Sequence, residues 1–552
     1  MMRGNFNNSL KLFKLIIRRE RVISSIWLIL LVAISMGLTP AMAEMFPDPG
    51  ARNTFAASIN NPIMIAMMGP VYGAGDYTNG AMYGGMMFLW YMIAVAIMNI
   101  FLVVRHTRAD EEYGRTEVVR SLPTGRLANI NAAMISALTI NIIHGLFTGL
   151  GLAAMGVEGV GFWGSMFYGA GTAAAGLVFA AIAALFSQLS SSSSGATAFS
   201  LVSVGVFYIL RAAGDVQGNE IVSCISPFGL AQRIQVFVEN RIWPIAALLV
   251  IAAVISAVAY KLNSIRDIGR GLIAARPGRA IAKPGLLSPF GLAWRLLRPM
   301  LISWAVVMFV LGAAYASVVA DISSFIGDSP EYMIIIGIPV EMLDSLPVAD
   351  QERLIVESFG SFVTLMMSLV CVVPLICAVI RVRSEERDGH AENVLTRSVK
   401  RWRYMAGYVT LAFLASIVMQ FLTAIGLYYT AALMTGGSSV FTYEGLLATF
   451  FAYIPALWVM IGLAALVVGL APKATGFIWG YFGVACFVSF IGRLVLPEWL
   501  LKISPFQFIP QPQPFEEFAP SFAPLLGLTI ISAVLTAIGF IAYRKRDIAA
   551  QV

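Results

Sequence analysis

Hydrophobic residues in this chain occur in long continuous runs, and short polar segments separate them. A helix needs about 20 mostly apolar residues to cross a bilayer, and the runs have this length. They lack the apolar and polar alternation of barrel strands, and backbone groups inside a bilayer must be paired, so we predict helices. The predicted spans lie near residues 22–43, 86–104, 128–152, 163–186, 197–212, 242–260, 301–319, 361–380, 404–434, 445–469, 475–492 and 521–543.

Composition supports the same class of protein. The 552 residues are 59% hydrophobic and 12% charged, with a mean hydropathy of +0.80, whereas a soluble domain carries roughly 25% charged residues. The apolar run after the basic N-terminal segment is too long for a signal peptide, so we expect a retained first span. The four cysteines lack metal-type spacing, so we expect neither a zinc site nor a disulfide framework.

The distribution of charge predicts the orientation in the membrane. If the N-terminus is cytoplasmic, the inner segments hold 30 of the 37 Lys and Arg residues, and the outer segments hold 19 of the 30 acidic residues. Basic residues concentrate on the cytoplasmic side of membrane proteins. We therefore predict that both termini are cytoplasmic. The basic balance reflects this orientation, and no nucleic-acid partner is expected.

The chain also repeats itself internally. Shifts of 275, 278, 280 and 281 residues align four short motifs in the same order. The shift of 275 aligns Arg108, Glu111, Gly114, Glu117 and Val119 with Arg383, Glu386, Gly389, Glu392 and Val394. The shift of 280 aligns Arg266-Asp267-Ile268 with Arg546-Asp547-Ile548. Since each half holds six predicted spans, we predict an all-α polytopic membrane protein of twelve transmembrane helices in two parallel six-helix repeats.

The repeat divides the chain into three parts. Residues 1–270 form the first six-helix half with its amphipathic N-terminal segment, residues 271–287 form a cytoplasmic linker, and residues 288–552 form the second half. Parallel repeats of this kind are related by an axis along the membrane normal. We therefore expect a pseudo-two-fold axis in that direction.

Two cytoplasmic loops, 105–127 and 381–403, carry the repeated charged motif. Charged residues spaced by three form a line along one side of a short helix. One interpretation is a solvated loop that only balances charge, and the other is a docking surface. The repetition favours docking onto two copies of one soluble partner.

The sequence contains no recognisable energy-converting or catalytic motif. GLAPKATG (469–476) lacks the ending of a phosphate loop, and HExxH and GxSxG are absent from the sequence. A buried charge inside a span usually marks an ion path, but the span centres are almost bare of charge. We therefore predict that the chain is not an enzyme and that its energy source lies outside the membrane domain. Arg211 and Arg493, near the outer ends of their spans, are expected to anchor to headgroups rather than to gate a substrate path. His144 is expected to be a packed or cavity-facing residue.

The first loop resembles a loop of a known family. DEEYGRTEVVRSLPTGR (110–126) is similar to the first cytoplasmic loop of ABC-2-type transporter permeases, which meets the ATPase subunit, and the second copy lacks its Leu-Pro ending. NSLKLFKLIIRRER (8–21) and SPFGLAWRLLRP (288–299) resemble the family's interfacial elbow helices. The ATPase-coupling residues that the resemblance implies are Glu111, Glu112, Gly114, Arg115, Glu117, Arg126, Glu385, Glu386, Gly389 and Glu392.

The duplicated form is similar to the exporter permeases for polyketide antibiotics. This resemblance implies a bacterial plasma-membrane permease that exports hydrophobic compounds, with membrane lipid and a hydrophobic small molecule as ligands. It also implies two copies of a soluble nucleotide-binding ATPase subunit, which would bind ATP and Mg, while this chain binds no cofactor. An ion-coupled secondary transporter is the alternative, and it predicts a short loop with a Gly-Asp-Arg-type signature after the second span. A membrane scaffold or sensor is a third interpretation, and it would not need a duplicated loop.

Overall fold

In a computed structural model, the described residues are 5–267, 269–273, 281, 284–319, 347–397, 399–434, 442–489, 497–509 and 522–547. All regular elements in these ranges are helical. Contacts between α-carbons divide the chain into two compact units, Met1–Gly278 and Arg279–Val552. The limits predicted for the two halves and the linker stay a prediction.

The first unit contains twelve α-helices among its described residues and one π-helix, Arg105–Ala109, after the fourth of them. The α-helices are α1 Ser9–Met45, α2 Pro49–Ile59, α3 Pro62–Met68, α4 Asn79–Val104, α5 Asp110–Glu112, α6 Arg115–Arg120, α7 Ala128–Ala154, α8 Phe162–Leu189, α9 Ser193–Val216, α10 Glu220–Ile225, α11 Pro227–Gln232 and α12 Trp243–Ile265.

The described part of the second unit contains nine α-helices and three short 3-10 helices, Pro284–Leu287, Pro472–Ala474 and Pro505–Phe508. The α-helices are α13 Pro289–Val319, α14 Val348–Arg387, α15 His390–Leu395, α16 Arg401–Met434, α17 Tyr443–Ala452, α18 Ile454–Leu470, α19 Gly476–Phe487, α20 Glu498–Leu501 and α21 Phe522–Lys545.

Eleven helices of the described residues are long and apolar enough to cross a membrane. Each of them overlaps one predicted span, so the prediction of an all-helical polytopic membrane protein is confirmed. The predicted span 475–492 corresponds to α19, which has 12 residues, and its last positions lie outside the described residues. The arrangement of twelve helices as a repeat therefore stays a prediction.

The segments that resemble elbow helices are not separate helices. Residues 9–21 are continuous with the first span in α1, and the first proline inside that helix is Pro40. Residues 289–299 are likewise continuous with the rest of α13. No residue between Ser9 and Thr39 is a glycine or proline except Gly37, so no break separates the amphipathic part from the span.

The long helices have the same order of packing partners inside each unit. In the first unit, α7 packs against α1, and α8 packs against α4 and α12. In the second unit, α16 packs against α13, and α18 packs against α14 and α21. In each unit one central helix therefore contacts both the second span and the last span.

Small residues allow the closest helix crossings. A Cβ atom added to Gly145 of α7 would overlap the carbonyl oxygen of Gly169 of α8, and a Cβ atom on Gly169 would overlap the carbonyl oxygen of Gly145. Most side chains of residues 169–184 are buried. This segment therefore packs against its neighbours, because small residues let membrane helices approach closely.

Candidate functional site

The two charged loops have the same backbone course. The π-helix and α5 extend α4 in the first loop, Gly114 has φ +71°, and α6 follows it. In the second loop α14 runs to Arg387, Gly389 has φ +74°, and α15 follows it. Glycine adopts this left-handed conformation without steric cost. Each glycine ends one helix and begins the next, so the charged residues do not form the single helical line that their spacing predicts.

A buried ion pair joins the first loop to the end of α12, the last span of the first unit. The guanidinium of Arg266 donates two hydrogen bonds to Glu111, at 2.6 and 2.8 Å. Arg108 donates to the same carboxylate at 2.9 Å. The three side chains are 2–6% exposed. Arg108, Glu111 and Arg266 are called the first latch below.

The first latch also holds the turn after α8. Arg108 Nη2 donates to the carbonyl oxygen of Ser191 at 2.5 Å and to that of Gly269 at 3.0 Å. Arg266 Nε donates to the side-chain oxygen of Gln188, near the end of α8, at 3.1 Å. The loop and the C-terminal ends of α8 and α12 thus meet at one charged cluster.

The second unit contains an equivalent cluster. Arg546 Nη2 donates to both carboxylate oxygens of Glu386, at 2.6 and 2.8 Å. Arg383 donates to the hydroxyl of Thr475, in the turn after α18. Arg383, Glu386 and Arg546 are called the second latch below. They stand at positions equivalent to those of Arg108, Glu111 and Arg266.

A third contact, from a guanidinium to a backbone oxygen, is also repeated in both units. Arg126 Nη2 donates to the backbone oxygen of Arg266 at 3.0 Å. Arg401 Nη1 donates to the backbone oxygen of Arg546 at 2.6 Å. Arg126 and Arg401 are 275 residues apart, which is the shift that aligns the two loops. The end of each loop is therefore attached to the end of its last span.

The first loop is also tied to α1. Asp110 accepts hydrogen bonds from Arg19 at 3.0 Å and from Arg115 at 2.9 Å. Glu20 accepts from Arg105 at 2.8 Å. The N-terminal segment, which is basic in sequence, therefore contributes both a cation and a carboxylate to the loop.

The predicted coupling residues fall into buried and exposed groups. Glu111 and Glu386 lie in the latches, and Glu385 is 5% exposed and pairs with Arg381 at 2.7 Å. Glu117 and Glu392 are exposed in the first turns of α6 and α15. The buried members contact their own unit, and the exposed members are available to a partner.

The other predicted residues lie close to these groups. Glu112 is exposed and accepts a hydrogen bond from the backbone N–H of Ser193 at 2.7 Å. The side chain of Arg115 is 53% exposed, and Arg126 is exposed beside the end of the last span. Their role in coupling stays a prediction.

The exposed faces of the two loops differ in chemistry. Tyr113, Val118 and Leu122 of the first loop are 51%, 70% and 61% exposed. Asp388, Asn393 and Arg397 occupy the aligned positions of the second loop and are also exposed. The first loop borders a groove of about 480 Å³. The residues lining this groove are Leu12, Leu15, Ile16, Arg19, Asp110, Arg115, Thr116, Val118, Val119 and Asn129.

Arg266 and Arg546 are the main residues that the candidate set from sequence omits. In the sequence they stand out only as members of an aligned motif. Their alignment at a shift of 280 residues, so close to the shift of the loops, is the signal that could have identified them. The same signal does not reveal which carboxylate each one binds.

Arg211 does not act as the headgroup anchor that its position predicts. It is fully buried and donates to the carbonyl oxygens of Ile65 at 3.2 Å and Ala66 at 2.6 Å. These carbonyls belong to the last turn of α3, where a cation interacts favourably with the helix dipole. The expected headgroup contact is wrong for Arg211 because the side chain is used inside the protein, and Arg493 lies outside the described residues.

His144 is packed inside the first unit. Its ring is 1% exposed, and Nε2 lies 3.0 Å from the hydroxyl of Tyr91. The same hydroxyl lies 2.8 Å from that of Thr148. The interpretation of His144 as a packed residue is confirmed by these contacts.

Comparison with known proteins gives a consistent result. The family model described as "Multidrug efflux system permease Rv1217c, C-terminal domain" matches residues 15–261 and 286–544. The multidrug efflux system permease protein Rv1217c of Mycobacterium tuberculosis is 33% identical over 550 residues, which cover 99% of this chain and 96% of the relative. The helical membrane fold agrees with both matches. The chain belongs to the family of multidrug efflux system permeases related to Rv1217c.

Proposed function

We propose that this chain is the membrane-spanning subunit of an ATP-driven ABC exporter of the ABC-2 type. The observation that carries the proposal is the duplicated loop. Each copy has a left-handed glycine, a short helix with an exposed glutamate and a glutamate–arginine pair to its last span. A chain that docks two similar soluble subunits needs two such surfaces.

The finer architecture belongs to the same proposal. Twelve spans would form two parallel six-helix repeats, with both termini and both charged loops on the cytoplasmic side of a bacterial plasma membrane. The equal order of packing partners in the two units supports the repeat. The concentration of basic residues in the inner segments supports the orientation.

Two soluble ATPase subunits would seat on the loops and supply the energy. Glu117 and Glu392 are the exposed acidic residues at equivalent positions, and each stands in the first turn of its helix. ATP and Mg would bind to the ATPase subunits. Closure of those subunits would move the loops, and the loops would move the spans.

The proposed substrates are hydrophobic compounds such as drugs, antibiotics of the polyketide class or lipid-like molecules. The relative from Mycobacterium tuberculosis, a multidrug efflux system permease protein, supports this class. An ion-coupled secondary transporter is the weaker candidate. Its two-half fold predicts a Gly-Asp-Arg-type loop after the second span, and loop 105–127 has a different sequence.

The test is ATP-dependent uptake of a fluorescent hydrophobic dye into inverted vesicles. The vesicles would contain the full chain with or without a soluble phosphate-loop ATPase that co-purifies with it. We expect uptake only with ATP and the ATPase, and we expect Glu117→Lys with Glu392→Lys to abolish it while the chain stays monodisperse. Glu158→Lys, an exposed acidic residue in a predicted outer segment, is the matched control. Uptake driven by an ion gradient without the ATPase would overturn the proposal.

A further inference from the structure

We propose that the two latches transmit movement of the charged loops to the last span of each unit, with Arg266 and Arg546 as positioning residues. This inference rests on the proposed function, since it describes how force applied by ATPase subunits would reach the membrane helices. It assigns a role to two arginines that stand outside the loops themselves. Neither arginine needs to touch an ATPase subunit in this role.

The first latch is built to resist separation. The carboxylate of Glu111 accepts hydrogen bonds from both Nη atoms of Arg266, at 2.6 and 2.8 Å. Such bidentate bonds fix the relative orientation of the two side chains as well as their distance. The two side chains are 6% and 4% exposed. Separating a buried pair leaves an uncompensated charge, which is costly. A displaced loop therefore carries the end of α12 with it.

The position of α12 explains why this contact matters. Only 17% of the residues in the most apolar 18-residue stretch of α12 are buried. Its main packing partner is α8. The first latch binds the inner ends of both helices, through Arg266 on α12 and through the carbonyl oxygen of Ser191 after α8. Movement of the loop thus reaches a pair of packed helices at their inner ends.

The second unit provides an independent instance. Arg546 follows α21, and only 22% of the residues in the most apolar 18-residue stretch of that helix are buried. Arg546 donates hydrogen bonds to both carboxylate oxygens of Glu386. Arg383 reaches a side chain, that of Thr475, where Arg108 reaches a backbone oxygen. The same mechanical connection is therefore made with different local residues.

A purely stabilising role predicts a different result from transmission. If the latches only stabilised the fold, weakening them would lower the amount and thermal stability of the protein and leave the dye exported per ATP hydrolysed unchanged. If they transmit movement, ATP hydrolysis continues while export per ATP falls. The ratio of the two rates therefore separates the two roles.

The experiment uses the full chain with its ATPase partner in proteoliposomes. Arg266→Lys with Arg546→Lys keeps both charges but removes the planar guanidinium groups, including the two nitrogens that Arg266 presents to Glu111. Arg266→Gln with Arg546→Gln removes the charges. Lys261→Gln with Arg544→Gln is the matched control, because both cations are exposed and precede the latch arginines on the same chain segments. Partner binding, ATP hydrolysis and dye export are measured on monodisperse protein.

We expect the lysine variant to bind the ATPase normally and to lose export per ATP by about ten-fold, a typical size for coupling between sites. The glutamine variant should lose more, and the control should match the wild type. Unchanged export per ATP in the lysine variant would overturn the proposal, as would loss of ATPase binding, which would place the arginines in docking. Failure of the proposed function would appear in the wild-type protein instead, as export without any ATPase, and the latch proposal would fall with it.

Discussion

The first and second charged loops agree in their buried contacts and differ on their exposed faces. Both loops have a left-handed glycine and both are bonded to the last span by a glutamate and an arginine. The exposed faces share only the acidic position of Glu117 and Glu392. The differing positions include Tyr113, Val118 and Leu122 in the first loop and Asp388, Asn393 and Arg397 in the second. The exposed Glu112 and Arg115 also differ from the residues aligned with them, Arg387 and His390.

This difference shows which constraints act on each side of a loop. The buried side must connect to helices whose geometry is the same in both units, so its charges and its glycine are repeated. The exposed side depends only on what it meets. If two copies of one ATPase dock here, as we propose, the first loop supplies apolar binding energy and the second supplies polar contacts that salt can screen.

The largest expected effect comes from breaking a latch. Arg266→Ala removes two of the three hydrogen bonds to the buried carboxylate of Glu111 and leaves Arg108 as its remaining partner. The cost should be about 3 kcal/mol, the lower end of the range for breaking a buried ion pair. Arg546→Ala should cost less, because the side chain of Arg546 is 16% exposed and that of Arg266 is 4% exposed. Thermal unfolding midpoints in detergent, read by tryptophan fluorescence, would measure the difference. Equal midpoints for both variants and for Lys261→Ala would contradict it.

A smaller effect is expected from the exposed faces. Val118→Ala with Leu122→Ala removes apolar surface and should weaken ATPase binding by about 1.5–3 kcal/mol. Asn393→Ala with Arg397→Ala should weaken it by about 0.5–1 kcal/mol, the usual size for exposed polar contacts. Biolayer interferometry with the chain in nanodiscs would compare them. A stronger effect of the second pair would reverse the proposed division between the loops.

The glycines should behave alike in both loops. Gly114→Ala and Gly389→Ala each place a side chain in a left-handed conformation, at a cost of about 1 kcal/mol. A Cβ atom at either position meets no atom within 4 Å, so the cost is that of the backbone alone. The two thermal unfolding midpoints should fall by equal amounts. Unequal shifts would show that the two loop backbones differ in how well they accommodate a side chain at the left-handed position.

The smallest effect is the dependence of binding on salt. Raising the salt from about 0.1 to about 0.5 M should weaken ATPase binding by roughly 0.5 kcal/mol, because exposed ion pairs are screened. The effect should persist in full in the Val118→Ala, Leu122→Ala variant. It should become smaller in the Asn393→Ala, Arg397→Ala variant, in which the charges of Glu117 and Glu392 remain. The opposite assignment would place the polar contacts on the first loop.

Much of the fold could be predicted from the hydrophobic pattern. Eleven predicted spans overlap long helices of the described residues, because a bilayer accepts few structures other than a helix of that length. The glycines of both loops were also identified from the repeat. The continuity of α1 with its amphipathic beginning was missed, since an apolar run marks the membrane part of a helix and not the point where the helix begins.

The partners of charged side chains could not be predicted in the same way. Glu111 and Arg266 are 155 positions apart, and Glu386 and Arg546 are 160 apart. Nothing in the local pattern of Arg211 indicates that it binds the end of α3 rather than the membrane surface. Such ion pairs depend on how the helices pack. The same set of acidic and basic residues could be paired in many different ways.

The sequence by itself determined that this chain is helical, membrane-spanning and duplicated in its charged loops. Those properties follow from the length of apolar runs and from residue identity at fixed spacing, which act locally. Only the tertiary structure decided which acidic residues form ion pairs inside each unit and which remain exposed. The reason is that a carboxylate's role depends on the cation that packing brings within hydrogen-bond distance, and that cation lies on a distant helix.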